Sequence, residues 1–382
     1  MVIKMSSDID VKYKQVANIL NKAGGFPYPI TNTMLDILKL NIEENNLDLV
    51  MAFKKNISQT MEQLKESSGL SEEEILKKAD TLAKRGVLFN QPNSQGVMVY
   101  RLLPIARQFE YTFMKKLDKT EENNRFAKLF HNFNEEISDV VQSNYERFKS
   151  SLKVLPPIDR TVPILENQEG EELDIIVNEE IEVPTEKILP TQKIKDLIEK
   201  YDDIAVGNCY CRQHKEFLGD PCKQIELTPS CFTLGKSARH TSNHGFSKLV
   251  SKEEALKILK KCEEAGLVHK AYHLHSDINK EEVAICNCCS CCCLTARECL
   301  IFPVANATNY LANINHDLCI GCGTCVEKCY NKAIELNDDN KAERNEELCV
   351  GCGVCASFCP ENAISLIEGP RIVRILPPKK KK

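Results

Sequence analysis

Every cysteine in this 382-residue chain lies between Cys209 and Cys359, and eight of the 20 belong to a repeat. Residues 316–336 read HDLCIGCGTCVEKCYNKAIEL, and residues 346–366 read EELCVGCGVCASFCPENAISL. Each cysteine recurs 30 residues later: Cys319 as Cys349, Cys322 as Cys352, Cys325 as Cys355, Cys329 as Cys359. Gly321, Gly323, Ala333 and Ile334 recur as Gly351, Gly353, Ala363 and Ile364. A duplicated C-x2-C-x2-C-x3-C unit packs thiols too densely for a hydrophobic core to be their purpose. Disulfide scaffolds are typical of short secreted domains. This chain is long, and its start, Met1-Val2-Ile3-Lys4-Met5, has no apolar signal core. The thiols therefore read as metal ligands.

The spacing is that of two-cluster bacterial ferredoxins. Three thiolates in a tight loop wrap three corners of one cubane. The glycines let the backbone pass close to inorganic sulfide and aim N–H groups at it. Zinc knuckles, the rival reading, use two C-x2-C pairs across a long spacer and fit poorly. Residues 314–369 thus resemble the bacterial-type two-[4Fe-4S] ferredoxin family, whose fold is a βαβ unit with a pseudo-two-fold. The resemblance implies one cluster on Cys319, Cys322, Cys325 and Cys359, and another on Cys349, Cys352, Cys355 and Cys329. Tyr330 departs from the family, which usually has proline there; the second copy keeps Pro360. The expected consequence is altered loop stiffness with occupancy unchanged. With four thiolates per cluster the expected role is electron relay. Ten acidic against four basic residues over 314–369, a net of −6, suit docking on a basic partner.

A second cysteine field precedes the repeat: Cys209, Cys211, Cys222 and Cys231, then Cys286, Cys288, Cys289, Cys291, Cys292 and Cys293. Six thiols in eight residues cannot all serve packing, because neighbours on a strand face opposite ways. The expected occupant is at least one further [4Fe-4S] cluster, or zinc; the ligand pairing stays open. Cys262 and Cys299 read as buried small hydrophobes. The segments around C-x-C-R and I-C-N-C-C-x-C-C-C resemble those preceding the ferredoxin domain in multidomain iron–sulfur proteins of anaerobic prokaryotes. The surplus thiols also leave open an iron–sulfur-dependent thiol–disulfide oxidoreductase. His240 and His244 stand at i and i+4, and His269, His273 and His275 follow the next helix. No acidic partner at fixed spacing accompanies them, so they read as ordinary histidines. No Walker A loop or G-x-G-x-x-G fingerprint occurs, leaving a nucleotide or flavin site unsupported.

The cysteine-free half, residues 1–150, shows helical patterns. Helices are expected over 32–45, 58–67 and 121–150. Ser71 and Glu74 form a capping box ahead of a helix through Ile75, Ala79, Leu82 and Ala83. Val87-Leu88-Phe89 and Val97-Met98-Val99-Tyr100 flank QPNSQG as a hairpin. Helix then hairpin resembles a winged-helix domain over residues 30–115. Its charge balance is near neutral: twelve basic and eleven acidic residues over 25–116. That favours protein docking over DNA binding.

Residues 151–190 carry Pro156, Pro157, Pro163, Pro184 and Pro190, and nine acidic residues without a basic one from Glu166 to Glu186. They read as a solvated linker or edge strand. The expected organisation is α+β and multidomain. It comprises a winged-helix-like domain (1–150), the acidic linker (151–190), a cysteine-rich metal-binding domain (191–313), a two-cluster ferredoxin domain (314–370) and a basic tail (371–382). The expected function is a cytoplasmic, oxygen-sensitive relay passing single electrons to or from a partner redox enzyme. A redox-sensing winged-helix transcription regulator is the main rival. The net charge of −5 gives no general reason for nucleic-acid binding, and no apolar run approaches membrane-spanning length.

Overall fold

The computed structural model describes residues 8–24, 28–177, 193–274, 277–293 and 303–380. Helices α1 (Asp8–Ala23), α2 (Asn32–Asn41) and α3 (Leu47–Ala52) turn Val16, Leu20, Met34, Leu38 and Val50 into one apolar core. Strand β1 (Ser58–Gln59), helices α4 (Met61–Ser68) and α5 (Glu72–Lys84), and strands β2 (Leu88–Pro92) and β3 (Met98–Leu102) follow. The Ser71–Glu74 capping box is present, and α5 buries Ile75, Ala79, Leu82 and Ala83. The hairpin and β1 make a three-stranded sheet ordered β1-β3-β2. Helices α6 (Ile105–Met114), α7 (Glu121–Ser143) and α8 (Tyr145–Leu152) complete this half. Phe109 of α6 stacks on Phe130 of α7 at 4.3 Å. The helix expected over 121–150 breaks at Asn144.

The rest of the chain is organised by a single sheet. Its strands are β4 (Asp159–Val162), β5 (Ile175–Val177), β6 (Ile204–Asn208), β7 (Pro229–Leu234), β8 (Lys248–Leu249), β9 (Val268–His273), β10 (Glu282–Cys288), β11 (Val304–Ile314) and β14 (Ile364–Ile375), in the order β5-β14-β11-β4-β9-β10-β7-β6-β8. Strands β12 (Ile334–Leu336) and β13 (Ala342–Arg344) form a separate pair. Helices α9 (Ile194–Glu199), α10 (Tyr210–Phe217), α11 (Lys236–Asn243) and α12 (Lys252–Glu264) belong to the middle segment, and α13 (Thr324–Lys328) and α14 (Val354–Ser357) to the repeat.

This topology departs from the expected segmentation. The cysteine-rich and ferredoxin segments share one sheet, and the strand joining them, β4, lies in the segment read as a linker. It pairs parallel with β11 and antiparallel with β9, and all four of its residues are buried. Prolines and the acidic run beyond it made the segment read as a linker, yet the charged residues of β4, Asp159 and Arg160, are each neutralised inside the sheet. Lys270 Nζ donates to Asp159 Oδ2 at 3.0 Å, and Arg160 pairs with Glu282 at 3.3 Å. Residues 178–190 of that linker, and 191–192 after it, lie outside the described residues. Strand β14 likewise runs into the expected basic tail as far as Ile375. Lys379 and Lys380 beyond it pair with Glu146 and Asp139, and Lys381 and Lys382 lie outside the described residues.

The buried ion pair leads to a stability prediction. Glu282 receives Arg160, the Tyr201 hydroxyl at 2.9 Å and Lys200 at 3.5 Å. Burial alone would raise its carboxyl, but the backbone N–H, Tyr201 and Lys200 outweigh that and hold it below the ordinary carboxylate value. Glu282→Gln leaves Arg160 buried without its counter-charge, which costs about 3–5 kcal/mol. A depressed folded-state pKa means that this stability is present above the unfolded value of about 4.3 and is lost as pH falls below it. Anaerobic urea titrations should show a midpoint drop for Glu282→Gln at pH 7 that narrows toward pH 4. An equal drop at both pH values would refute this assignment.

Candidate metal centres

The repeat folds back so that its two copies exchange their fourth cysteines. Cys319, Cys322, Cys325 and Cys359 line one pocket, together with Gly321, Gly323 and Ala363. Cys329 faces Cys349 and Cys352, and Cys355 lies against all three. Backbone N–H groups point at the sulfurs in matching ways: Ala333 N donates to Cys329 Sγ at 3.1 Å and Ala363 N to Cys359 Sγ at 3.3 Å. The recurrent alanines thus mark a recurrent N–H···S bond, the kind that tunes cluster potential. Gly321 and Gly351 have φ of +70° and +59°. A Cβ on Gly351 would overlap the Tyr310 carbonyl, so only glycine lets this loop lie against β11. Burial pushes the Cys352 thiol up to about 12, so it needs a cation to become a ligand. The donor set and the loops fit iron–sulfur cubanes.

The second field resolves into two different arrangements. The Sγ atoms of Cys222, Cys289, Cys291 and Cys292 all lie within 4.8 Å of one another. Cys222 and Cys291 are 3.5 Å apart, Cys291 and Cys292 3.6 Å, and Lys223 N donates to Cys291 Sγ at 3.4 Å. Four thiolates around one tetrahedral zinc at about 2.3 Å stand about 3.8 Å from each other. This tetrad therefore has single-ion spacing. Shared hydrogen bonds hold the Cys291 thiol down to about 6, with Cys289 the main partner, and push Cys289 far up.

The other six thiols close a ring. Cys209 is a neighbour of Cys211 and Cys231, Cys211 of Cys293, Cys231 of Cys286, and Cys288 of both Cys286 and Cys293, near enough for each pair to share a proton. Cys209 and Cys211 flank the start of α10, Cys231 is on β7, and Cys286 and Cys288 share one face of β10. Among the described residues no three of these sulfurs come as close together as those of the tetrad. Five of the six are at most 7% exposed.

Two buried cations and a tyrosine stand in this region; the sequence reading had Arg212 only as part of the C-x-C-R segment and had not placed Lys270 or Tyr330 here. Arg212, wholly buried, donates from Nη2 to Asn287 O at 2.6 Å, while its Nε and Nη1 have no hydrogen-bond partner. It lies beside Cys209 and Cys231 of the ring and Cys289 of the tetrad. Lys270 stands beside Cys288 and Cys293. Tyr330 is 2% exposed, and its hydroxyl donates to Cys293 Sγ at 3.1 Å. Where a proline was expected, the ferredoxin-type repeat sends a hydrogen bond from the residue after Cys329 into the six-thiol ring. The chain signal was the departure itself.

Helix α10 carries the ring's first two thiols and is fixed from the N-terminal half. Gln213 Nε2 donates to Phe113 O and Lys115 O, and His214 Nε2 to Ala127 O at 3.1 Å. His240 is buried against Phe89 and Tyr111, its ring nitrogens without partners, and burial pushes its pKa down to about 3. His244 meets Asn90 Oδ1 at 2.8 Å. His269 and His273 lie within β9, hydrogen-bonded to Asn287 and Lys280 O. Cys262 is buried on α12, as expected. Cys299 and His275 lie outside the described residues.

Residues 312–366 match the family model described as a 4Fe-4S dicluster domain. Over 32 residues the chain is 56% identical to a probable ferredoxin of Methanosarcina thermophila, covering 8% of this chain and 55% of that protein. The alignment thus spans about half the length of that relative. No solved structure matches the chain. Its C-terminal part is a ferredoxin-type iron–sulfur domain carrying [4Fe-4S] clusters, and upstream of it stands a group of four cysteines with the spacing to hold a metal ion. No helix among the described residues is long and apolar enough to cross a membrane.

Proposed function

We propose that this protein relays single electrons to or from a partner redox enzyme in the cytoplasm. Cys319, Cys322, Cys325 and Cys359 would hold one [4Fe-4S] cluster, and Cys349, Cys352, Cys355 and Cys329 the other. Such clusters supply reversible one-electron storage. The observation that carries the reading is the continuity of thiol sites. The second four-thiol set is one residue and one hydrogen bond from the ring, through Tyr330 and Cys293. Residues 30–115 have the element order of a winged helix, and we read them as a protein-docking module. In α5, Glu72, Glu73 and Glu74 occupy the first turn, while Lys78 and Lys84 are paired with Asp48 and Asp80. Few cations are left there to neutralise phosphates.

The test is stopped-flow mixing of dithionite-reduced protein with oxidised cytochrome c, a basic electron acceptor. The acceptor should be reduced, and the rate should fall several-fold as ionic strength rises from about 0.01 to 0.5 M, where screening shortens the Debye length from about 30 Å to a few ångström. Clusters that cannot be reduced, or that reduce no acceptor, would sink the relay. A salt-sensitive shift of duplex DNA by the oxidised chain would favour the regulator instead.

A further inference from the structure

We infer that the ring of Cys209, Cys211, Cys231, Cys286, Cys288 and Cys293 is one binding site for a polynuclear iron–sulfur cluster, distinct from the single-ion tetrad and from the two ferredoxin-type cubanes. Spacing is the first argument. Among the described residues no three of these sulfurs lie within 4.8 Å of one another, whereas the thiolates of one tetrahedral zinc stand about 3.8 Å apart. One metal ion cannot gather thiols so spaced, since zinc–sulfur bonds are about 2.3 Å. The ferredoxin cysteines, which serve cubanes, likewise show no single-ion grouping. Number is the second argument. Six thiols exceed what a tetrahedral ion takes, so the occupant has several metal atoms.

Charge is the third argument. A thiolate-bound cluster is an anion, and an anion buried without counter-charge is costly. Here Arg212 lies beside Cys209 and Cys231, and Lys270, which also pairs with Asp159, stands beside Cys288 and Cys293. Two of the Arg212 nitrogens find no hydrogen-bond partner in the protein. A buried guanidinium with donors to spare, beside two of the ring's thiols, is what an anionic guest would satisfy. Tyr330 adds a hydroxyl donor to Cys293. The inference concerns occupancy and stands whether or not the relay reading holds.

The experiment is iron, acid-labile sulfide and zinc per chain on the full-length protein purified anaerobically. About twelve iron or more are expected, counting about four for each cubane and at least four in the ring, with one zinc in the tetrad. Cys211→Ser/Cys288→Ser should lower iron to about eight, keep the zinc, and keep the reduced EPR signals of the ferredoxin-type clusters. Cys289→Ser should lose the zinc and keep the iron. A wild-type chain with about eight iron, or with more than one zinc, overturns the proposal. So does a double variant with undiminished iron. Should that variant fail to fold, Tyr330→Phe removes only one hydroxyl beside Cys293. It should alter the Mössbauer or EPR signature of the third centre alone, and spectra identical to wild type would overturn the assignment.

Discussion

Gly353→Ala should strip the second four-thiol set of its cluster, while Gly323→Ala should leave the first set loaded. The two glycines are repeat equivalents with the same φ of +77°. Both substitutions incur the left-handed backbone cost, about 1–2 kcal/mol. Their surroundings differ. Nothing lies within 4 Å of a Cβ placed on Gly323, whereas one on Gly353 would overlap the carbonyl of Ile164. That neighbour cannot withdraw freely. Ile164 N donates to Cys352 O at 3.0 Å, Ile164 is 3% exposed, and only Pro163 separates it from β4. Relief must move either the cysteine loop or the strand that ties the sheet together. Such overpacking adds about 1–3 kcal/mol. Iron and sulfide analysis should show Gly353→Ala lower by roughly four iron, and its anaerobic thermal midpoint should fall below that of Gly323→Ala. Equal losses in the two variants would mean that backbone strain alone matters.

The same pair of glycines shows what could be read from the chain. The repeat was legible because a tight C-x2-C-x2-C loop is local, and the grouping of its eight thiols into two sets is what the resemblance to two-cluster ferredoxins implies. Ser71 announced α5, because caps and amphipathic faces are also local. The contact between Gly353 and Ile164 spans nearly 190 residues, and no local pattern encodes it. Strand β4 was hidden for a related reason. Prolines and the acidic run beyond it mark a linker, and the partners of its Asp159 and Arg160, Lys270 and Glu282, arrive from β9 and β10. The second cysteine field failed to sort itself because the two groups interleave. Cys286, Cys288 and Cys293 join the ring, while Cys289, Cys291 and Cys292 join the tetrad. Strand alternation accounts for Cys286 and Cys288 sharing a face. The turn after β10 then reverses the rest, and Cys222 comes from a distant loop.

Arg212→Met should lower the reduction potential of the ring's cluster and destabilise the whole cysteine-rich region. The guanidinium is buried between the ring and the tetrad, and both sites would be anionic when loaded. Reduction adds one negative charge to the ring. At roughly 5 Å and an effective dielectric of about 20, a unit positive charge stabilises that added charge by about 3 kcal/mol. With a tenfold change worth about 59 mV for one electron, the loss corresponds to a shift on the order of 100 mV toward negative potential. Methionine keeps most of the side-chain volume, so the shift reads charge more than packing. Arg212→Lys restores the charge and forfeits the hydrogen bond to Asn287 O. Its potential should therefore return most of the way while its stability does not. EPR-monitored redox titrations of the three proteins separate the two effects. The ferredoxin-type clusters act as the internal reference, because their thiols are not among the groups facing Arg212. A uniform shift of every centre, or none at the ring, would show that Arg212 does not serve the ring's charge.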